Sequence, residues 1–258
     1  MTRIDELENF TEDEFDKALT ERYRDIVLST KAAVSSSPHA ILLGGQSGAG
    51  KSTLHYLYYK QFGGDIISIN GDEYRSSHPR FHEIASIAGA DVAAHTATWS
   101  GKMTEALIDA LSSAGYNLII EGTLRTANVP KNTARLLRKR GYSVSLALMA
   151  VKPEISLISC QIRYEQMRIA GTTPRATRAD YHNKIVHEIV SNLAVLEQSD
   201  LFDGIRLYDR AGSCLFPSEK APRTASETLR GILFGPWSED EKRHYQHLQR
   251  VLKRLQEK

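Results

Sequence analysis

The sequence predicts an α/β fold with a mainly parallel central sheet, helices on both of its faces and a helical lid. Three observations predict it. Short apolar runs alternate with helical patterns through the middle of the chain, the pattern of repeated β-α-β units. One of those runs, Ala40-Ile-Leu-Leu43, stops at two glycines and leads directly into a glycine-rich turn ending in Lys51-Ser52. The 258 residues are 41% apolar and 25% charged, which is ordinary globular composition.

The elements follow in order. Thr11-Glu-Asp-Glu14 fits a capping box, and Phe15, Ala18, Leu19, Tyr23, Ile26 and Val27 share one face, so residues 12–31 are expected to form an amphipathic helix. Residues 34–38, with three serines and a proline, read as a linker. Strands are expected at 40–43, 66–69, 117–120, 143–150 and 205–208, and helices at 51–62, 91–114, 130–140, 153–170 and 177–199. Gly115 and Gly141 stop two of those helices. Capping boxes at Thr224–Glu227 and Ser238–Glu241 open two C-terminal helices. The last carries Tyr245, Leu248, Leu252 and Leu255 at heptad-like spacing; a single such seam points to docking on the domain rather than a coiled coil. The organisation expected is one domain over residues 1–258, with the N-terminal helix at 12–31, the core at 40–210, the lid at 163–180 and the C-terminal helices at 224–257.

Composition excludes several functions. There are 33 Lys and Arg against 31 Asp and Glu, a net charge of +2, too balanced for a nucleic-acid or membrane partner held by bulk electrostatics. Two cysteines, Cys160 and Cys214, are too few for a disulfide framework. The first thirty residues hold no apolar targeting core, and apolar runs such as 146–151 reach about six residues where a membrane span needs about twenty. The chain therefore reads as a soluble cytoplasmic protein. His78/His82 and His182/His187 lack a third ligand at metal-site spacing. Trp99 and Trp237 read as packing residues, and Arg135, Arg138, Lys139 and Arg140 as a solvated helix face.

Gly45-Gln-Ser-Gly-Ala-Gly50-Lys51-Ser52 matches G-x-x-x-x-G-K-[ST] in full, between an apolar strand and a helix. The candidate nucleotide-binding residues are Gly45, Gln46, Ser47, Gly48, Ala49, Gly50, Lys51, Ser52 and Thr53. Such a loop turns its backbone N–H groups inward as an anion cradle. Lys51 would meet the β- and γ-phosphates of a nucleoside triphosphate, and the Ser52 hydroxyl would meet Mg²⁺. The motif points to nucleoside triphosphate binding without saying what the triphosphate is used for, and no base-reading motif sets ATP apart from GTP.

Three classes of nucleotide protein compete. A switch GTPase needs N-K-x-D, and Asn183-Lys184 continues with Ile185-Val186; Asp209-Arg-Ala-Gly212 fits D-x-x-G but lies late in the chain. A motor ATPase needs a strand ending in acidic residues, whereas 66–69 ends in Asn70-Gly-Asp72. In a small-molecule kinase an acid at that point activates a substrate hydroxyl, and Asp72 is placed for it. Glu121, Thr123 and Arg125 follow the third strand, at the edge where open parallel sheets bind ligands, and could hold a polar substrate. Arg163 and Arg175 fall in a helix–loop–helix with the character of a lid. The basic run at 135–140 keeps a polynucleotide kinase open as an alternative, and a nucleotide-dependent binding protein without turnover is another.

The run from Leu42 to Thr53 resembles the phosphate loop of the zeta toxin family, most closely its Pez-type branch. So do Asn70-Gly-Asp72 with Arg75 and His78-Pro79, Tyr116 to Thr123 with Arg125-Thr126, Val129-Pro130, Arg163-Tyr-Glu165, and Ala176-Thr177 after Arg175. The similarity runs in order from about residue 8 to about residue 240. It implies a P-loop kinase fold and a Mg²⁺- and ATP-dependent kinase of UDP-N-acetylglucosamine, phosphorylating the sugar 3′-hydroxyl. That product blocks cell-wall precursor synthesis, so the resemblance implies a bacterial toxin held inactive by a cognate antitoxin. It further implies Asp72 as the base, Lys51, Arg163 and Arg175 at the phosphates, Ser52 at the metal, and Glu105, Glu121, Thr123, Arg125 and Thr133 around the UDP-sugar. The N-terminal helix and the mouth of the phosphate loop are the expected antitoxin contacts. One departure is Asn70, where the Pez-type pattern has an aspartate; the second carboxylate near the metal is lost.

Overall fold

Successive residues of a strand face opposite sides of its sheet. Here both sides are apolar: Ala40 and Leu42 enter one core while Ile41 and Leu43 enter the other, and Leu146 and Leu148 likewise oppose Ala147 and Met149. Such strands need a sheet covered on both faces. The structure is a computed structural model and describes residues 3–172, 174, 176–216 and 223–258. Its strands are β1 (His39–Gly44), β2 (Ile67–Ile69), β3 (Leu118–Glu121), β4 (Ser143–Met149), β5 (Gly204–Tyr208) and β6 (Cys214–Phe216), in the order β2-β3-β1-β4-β5-β6. All pairings are parallel except that of β6, which runs antiparallel to β5.

The helices are α1 (Arg3–Leu7), α2 (Glu12–Ser29), α3 (Ser52–Gln61), α4 (Phe81–Ala88), α5 (Val92–His95), α6 (Ala97–Ala114), α7 (Asn128–Lys139), α8 (Pro153–Ile169), α9 (Ala179–Glu197), α10 (Ala225–Phe234) and α11 (Glu239–Gln256). Phe15, Leu107, Leu137, Leu193 and Leu229 bring α2, α6, α7, α9 and α10 onto one face. Leu54, Ile155 and Leu248 bring α3, α8 and α11 onto the other. The α11 seam docks as expected, with Trp237 edge-on to Tyr245 at 5.4 Å. Buried Lys152 donates to the carbonyls of Gly235 and Pro236 at 2.7 and 3.3 Å and pins the turn before α11. All three expected capping boxes are formed. In the first, the hydrogen bonds from Arg80 also hold the Glu14 carboxyl down at about 2.

The structure differs from the sequence expectation between β2 and β3. The helix expected over 91–114 is broken at Thr96, which ends α5 and precedes α6. Its hydroxyl donates to the Val92 carbonyl at 2.8 Å, four residues back, a bond that competes with helix continuation. Arg75 Nη1 occupies the break, donating to Ala93 O at 2.6 Å and to Thr96 Oγ1 at 3.2 Å. A 3-10 helix over Gly71–Ser77 and helix α4 fill a stretch that the sequence left unassigned, and α1 and the three-residue edge strand β6 are likewise new. Elements this short carry too little periodicity to be read.

Trp99, 1% exposed, anchors this region. Its indole N–H donates to Tyr74 O at 3.1 Å and Ser77 Oγ at 3.0 Å, and Phe10, Phe15 and His78 pack edge-on around the ring. Trp99→Ala is expected to cost about 3–5 kcal/mol in urea unfolding. A loss under about 1 kcal/mol would show that the aromatic cluster does not hold the 3-10 helix in place.

Candidate active site

In an open parallel sheet, ligands collect beyond the carboxyl ends of the strands. The ends of β2, β3 and β1 are adjacent here, with Ile69 opposite Ile120 and Leu43 opposite Glu121. The loop after β1 returns over the sheet with Gly45, Gly48 and Gly50 all at positive φ. At Gly48 the need for glycine is steric as well, because a Cβ there would lie 2.0 Å from Ser156 O of α8. Gln46 is fully buried and donates to Val151 O at 2.8 Å and Ser156 Oγ at 3.1 Å, tying the loop to the start of α8. Ser156 Oγ also lies 2.9 Å from Nε2 of buried His182, whose pKa burial pushes down, so this histidine is a neutral structural partner.

Lys51 stands at the head of α3. Its ammonium donates to Gly45 O at 3.0 Å and Gln46 O at 3.4 Å and lies 3.6 Å from Glu121 Oε1. His55, one turn further along α3, places Nε2 2.7 Å from Glu121 Oε2 and Nδ1 2.9 Å from Ser68 Oγ of β2. An ionised carboxylate only accepts, so Nε2 carries the hydrogen. Burial raises the Glu121 pKa and the charge of Asp72 adds to that, but the His55 hydrogen bond and the Lys51 charge outweigh both, and the carboxyl sits below its ordinary value.

Asp72 opens the 3-10 helix after β2. Its N–H donates to the Asn70 side-chain oxygen at 3.1 Å, and Oδ1 accepts from Arg75 Nε at 2.9 Å. The amide at position 70 therefore caps the turn that carries Asp72. Arg75 joins Asp72 to the helix break at Thr96, so the irregular backbone there fixes the carboxylate.

Of the residues expected at the site, the structure brings the phosphate loop, Lys51, Asp72 and Glu121 together. Thr123 is half-buried and Arg125 exposed, its guanidinium donating to Tyr181 OH at 2.8 Å. Leu124 between them is buried at φ 58, an unusual conformation for leucine, with its carbonyl held by Asn192 Nδ2 at 2.9 Å. Glu105 is exposed on α6, Thr133 on α7 donates to Val129 O at 3.1 Å, and Arg163 is exposed on α8. Arg175 lies outside the described residues. His55, Ser68 and Arg210 also stand at the site, and none of them is marked as a site residue by the sequence pattern. His55 was legible in principle, since it follows Lys51 by four residues and so shares its helix face.

The arrangement can bind a polyphosphate and place a carboxylate beside it. No group of three or more His, Cys, Asp or Glu among the described residues could hold a metal. The exposed Ser52 hydroxyl at the head of α3 still suits Mg²⁺, an ion that takes few protein ligands and completes its shell with phosphate oxygens and water. Among the described residues no helix is long and apolar enough to cross a membrane.

Two outcomes follow. Gly48→Ala should cost roughly 1–3 kcal/mol in backbone strain, with the clash against Ser156 in addition, and should abolish nucleotide binding by calorimetry. A variant binding like the wild type would contradict the packing described. Because Glu121 titrates lower folded than unfolded, its ionised form stabilises the fold above the unfolded carboxylate value, and that contribution fades as the pH falls through the folded one. Denaturant titrations should therefore show the stability gap between wild type and Glu121→Gln shrinking from pH 7 toward pH 3; a constant gap would contradict it.

Comparison with known proteins places the sequence and the fold. The zeta toxin family model matches residues 24–221. Toxin PezT of Streptococcus pneumoniae serotype 4 is 44% identical over 254 residues, 98% of this chain and 100% of that protein. Toxin zeta of Streptococcus pyogenes is 39% identical over 223 residues, covering 86% of this chain and 77% of the relative. A solved structure from the PezAT chromosomal toxin–antitoxin system of Streptococcus pneumoniae superposes with a TM-score of 0.88 at 42% identity, covering 98% of this chain and 99% of that one. By its sequence over most of its length and by its fold, the chain belongs to the zeta toxin family.

Proposed function

We propose that this chain is an ATP-dependent kinase that phosphorylates the 3′-hydroxyl of UDP-N-acetylglucosamine and acts as the toxin of a toxin–antitoxin pair. The observation that carries the reading is the meeting of Lys51, Glu121 and Asp72 at the ends of adjacent parallel strands. A phosphate cradle on one side and an oriented carboxylate on the other are what transfer to a hydroxyl requires. Family membership, and the toxin–antitoxin context in the name of the PezAT structure, support the biological role.

In this reading the triphosphate lies on the N–H groups of residues 45–53. Lys51 leaves the loop carbonyls for the β- and γ-phosphates, and Ser52 offers its hydroxyl to Mg²⁺, which when bound neutralises charge on the phosphate oxygens. Glu105, Glu121, Thr123, Arg125 and Thr133 hold the UDP-sugar. Asp72, oriented by Arg75, accepts the proton of the sugar hydroxyl. The hydroxyl oxygen bonds to the γ-phosphorus, the bond from that phosphorus to the β,γ-bridging oxygen breaks, and ADP departs. Arg163 and Arg175 stabilise charge on the group in flight. His55 holds the Glu121 carboxylate in register with Lys51. A cognate antitoxin would act by covering the mouth of this cleft and the N-terminal helix beside it.

The test is a transfer assay with Mg²⁺, ATP and UDP-N-acetylglucosamine, read by product mass, with Asp72→Asn alongside. The expected result is a monophosphorylated sugar nucleotide, with turnover reduced by about 10²–10⁴-fold in the variant. Turnover retained by Asp72→Asn would remove the base. No product from a wild-type chain that binds ATP would remove the substrate.

A further inference from the structure

Arg210 lies just beyond β5, at the same carboxyl edge of the sheet, in a turn fixed by Asp209 Oδ1, which accepts from Ala211 N at 2.9 Å and Ser213 N at 2.8 Å. Its guanidinium reaches back to the phosphate loop. Nη1 donates to Gly48 O at 3.3 Å and to Ser159 Oγ of α8 at 2.8 Å, and a Cβ built on Gly50 would lie 3.7 Å from Nε. Its own carbonyl accepts from Thr53 Oγ1 at 3.3 Å. The side chain is thus set against the loop on the flank away from Glu121.

Among the described residues no carboxylate pairs with it. Arg22, Arg75, Arg80 and Arg140 are also partly buried, and each meets a carboxylate. Arg210 forms no ion pair with any described residue; the titratable groups facing it are Cys160 of α8 and His244 of α11, the latter's pKa lowered by burial and further by the nearby Arg210 charge. Burial lowers the Arg210 pKa in turn. A half-buried cation left unpaired is costly unless a ligand supplies the anion. Ser159, its partner on α8, lies one turn before Arg163 on the same helix face.

We infer that Arg210 is a ligand for the phosphates of the bound nucleoside triphosphate, completing with Lys51 a cationic wall on both flanks of the loop. This rests on the reading of residues 45–53 as a nucleotide site. The alternative role, a clasp that merely ties the loop to α8, has a different signature. Removing a clasp lowers the stability of the ligand-free protein, whereas removing an unpaired cation leaves it unchanged or raises it.

The experiment measures binding of Mg²⁺ and a non-hydrolysable ATP analogue by calorimetry at fixed salt, together with the melting temperature of the ligand-free protein, for wild type, Arg210→Gln and Arg210→Lys. The expected result is a loss of affinity on the order of tenfold or more in Arg210→Gln, largely recovered in Arg210→Lys, with an unchanged or higher melting temperature without ligand. Unaltered affinity in Arg210→Gln would overturn the inference alone, as would a parallel fall of affinity and melting temperature that lysine does not repair. A wild-type chain that binds no nucleotide would overturn the phosphate-loop reading, and this inference with it.

Discussion

Parallel pairing of β1 between β3 and β4 constrains everything at the carboxyl edge. The pairing sets Leu43 opposite Glu121, and the chain leaves β1 one residue later into the phosphate loop. A carboxylate at the end of β3 thereby faces the lysine at the head of α3. The pair would be unfavourable if either charge stood alone, since a partly buried ion needs a partner. Lys51 and His55, one helical turn apart, supply partners for both oxygens of Glu121. Slipping the register by one residue would exchange the two cores and separate these charges together. Core packing and site geometry therefore depend on the same pairing.

The other half of the site depends on irregular backbone. Asp72 sits neither in a strand nor in an α-helix but in a 3-10 turn capped by Asn70. Arg75 carries the positional constraint from Asp72 to the break between α5 and α6, and Trp99 closes the aromatic cluster beneath them. Residues far apart in the chain, from Glu8 to Trp99, thus hold one carboxylate in place: His78 Nε2 lies 3.3 Å from Glu8 O and edge-on to Trp99. An irregular segment carrying a candidate base while regular elements carry its support is a common division of labour.

Much of this was legible in the sequence. The phosphate loop announces itself because a backbone anion cradle needs glycines at fixed offsets. Glu121 could be placed because it directly follows an apolar run, and Asp72 because it stands in the short turn Asn70-Gly-Asp72 that ends another. Hidden from the sequence were the contacts that form only when distant segments meet: His55 to Ser68, Arg75 to Ala93, and Arg210 to Gly48. The break at Thr96 is not legible because threonine is compatible with a helix on propensity alone; its hydroxyl bond back to Val92 and the arginine inserted from another segment together decide against it. Glu105, Thr133 and Arg163 rest on family resemblance, for nothing in their local pattern sets them apart from solvated helix residues.

In the proposed reaction a single cleft, at the ends of β2, β3 and β1, brings phosphoryl donor and acceptor together. A crystal structure of the chain with Mg²⁺, a non-hydrolysable ATP analogue and UDP-N-acetylglucosamine would test it most directly. The expected result is a sugar hydroxyl about 3–3.5 Å from the γ-phosphorus, within hydrogen-bonding reach of Asp72. A sugar nucleotide bound away from Glu121, or a reactive hydroxyl remote from Asp72, would contradict it.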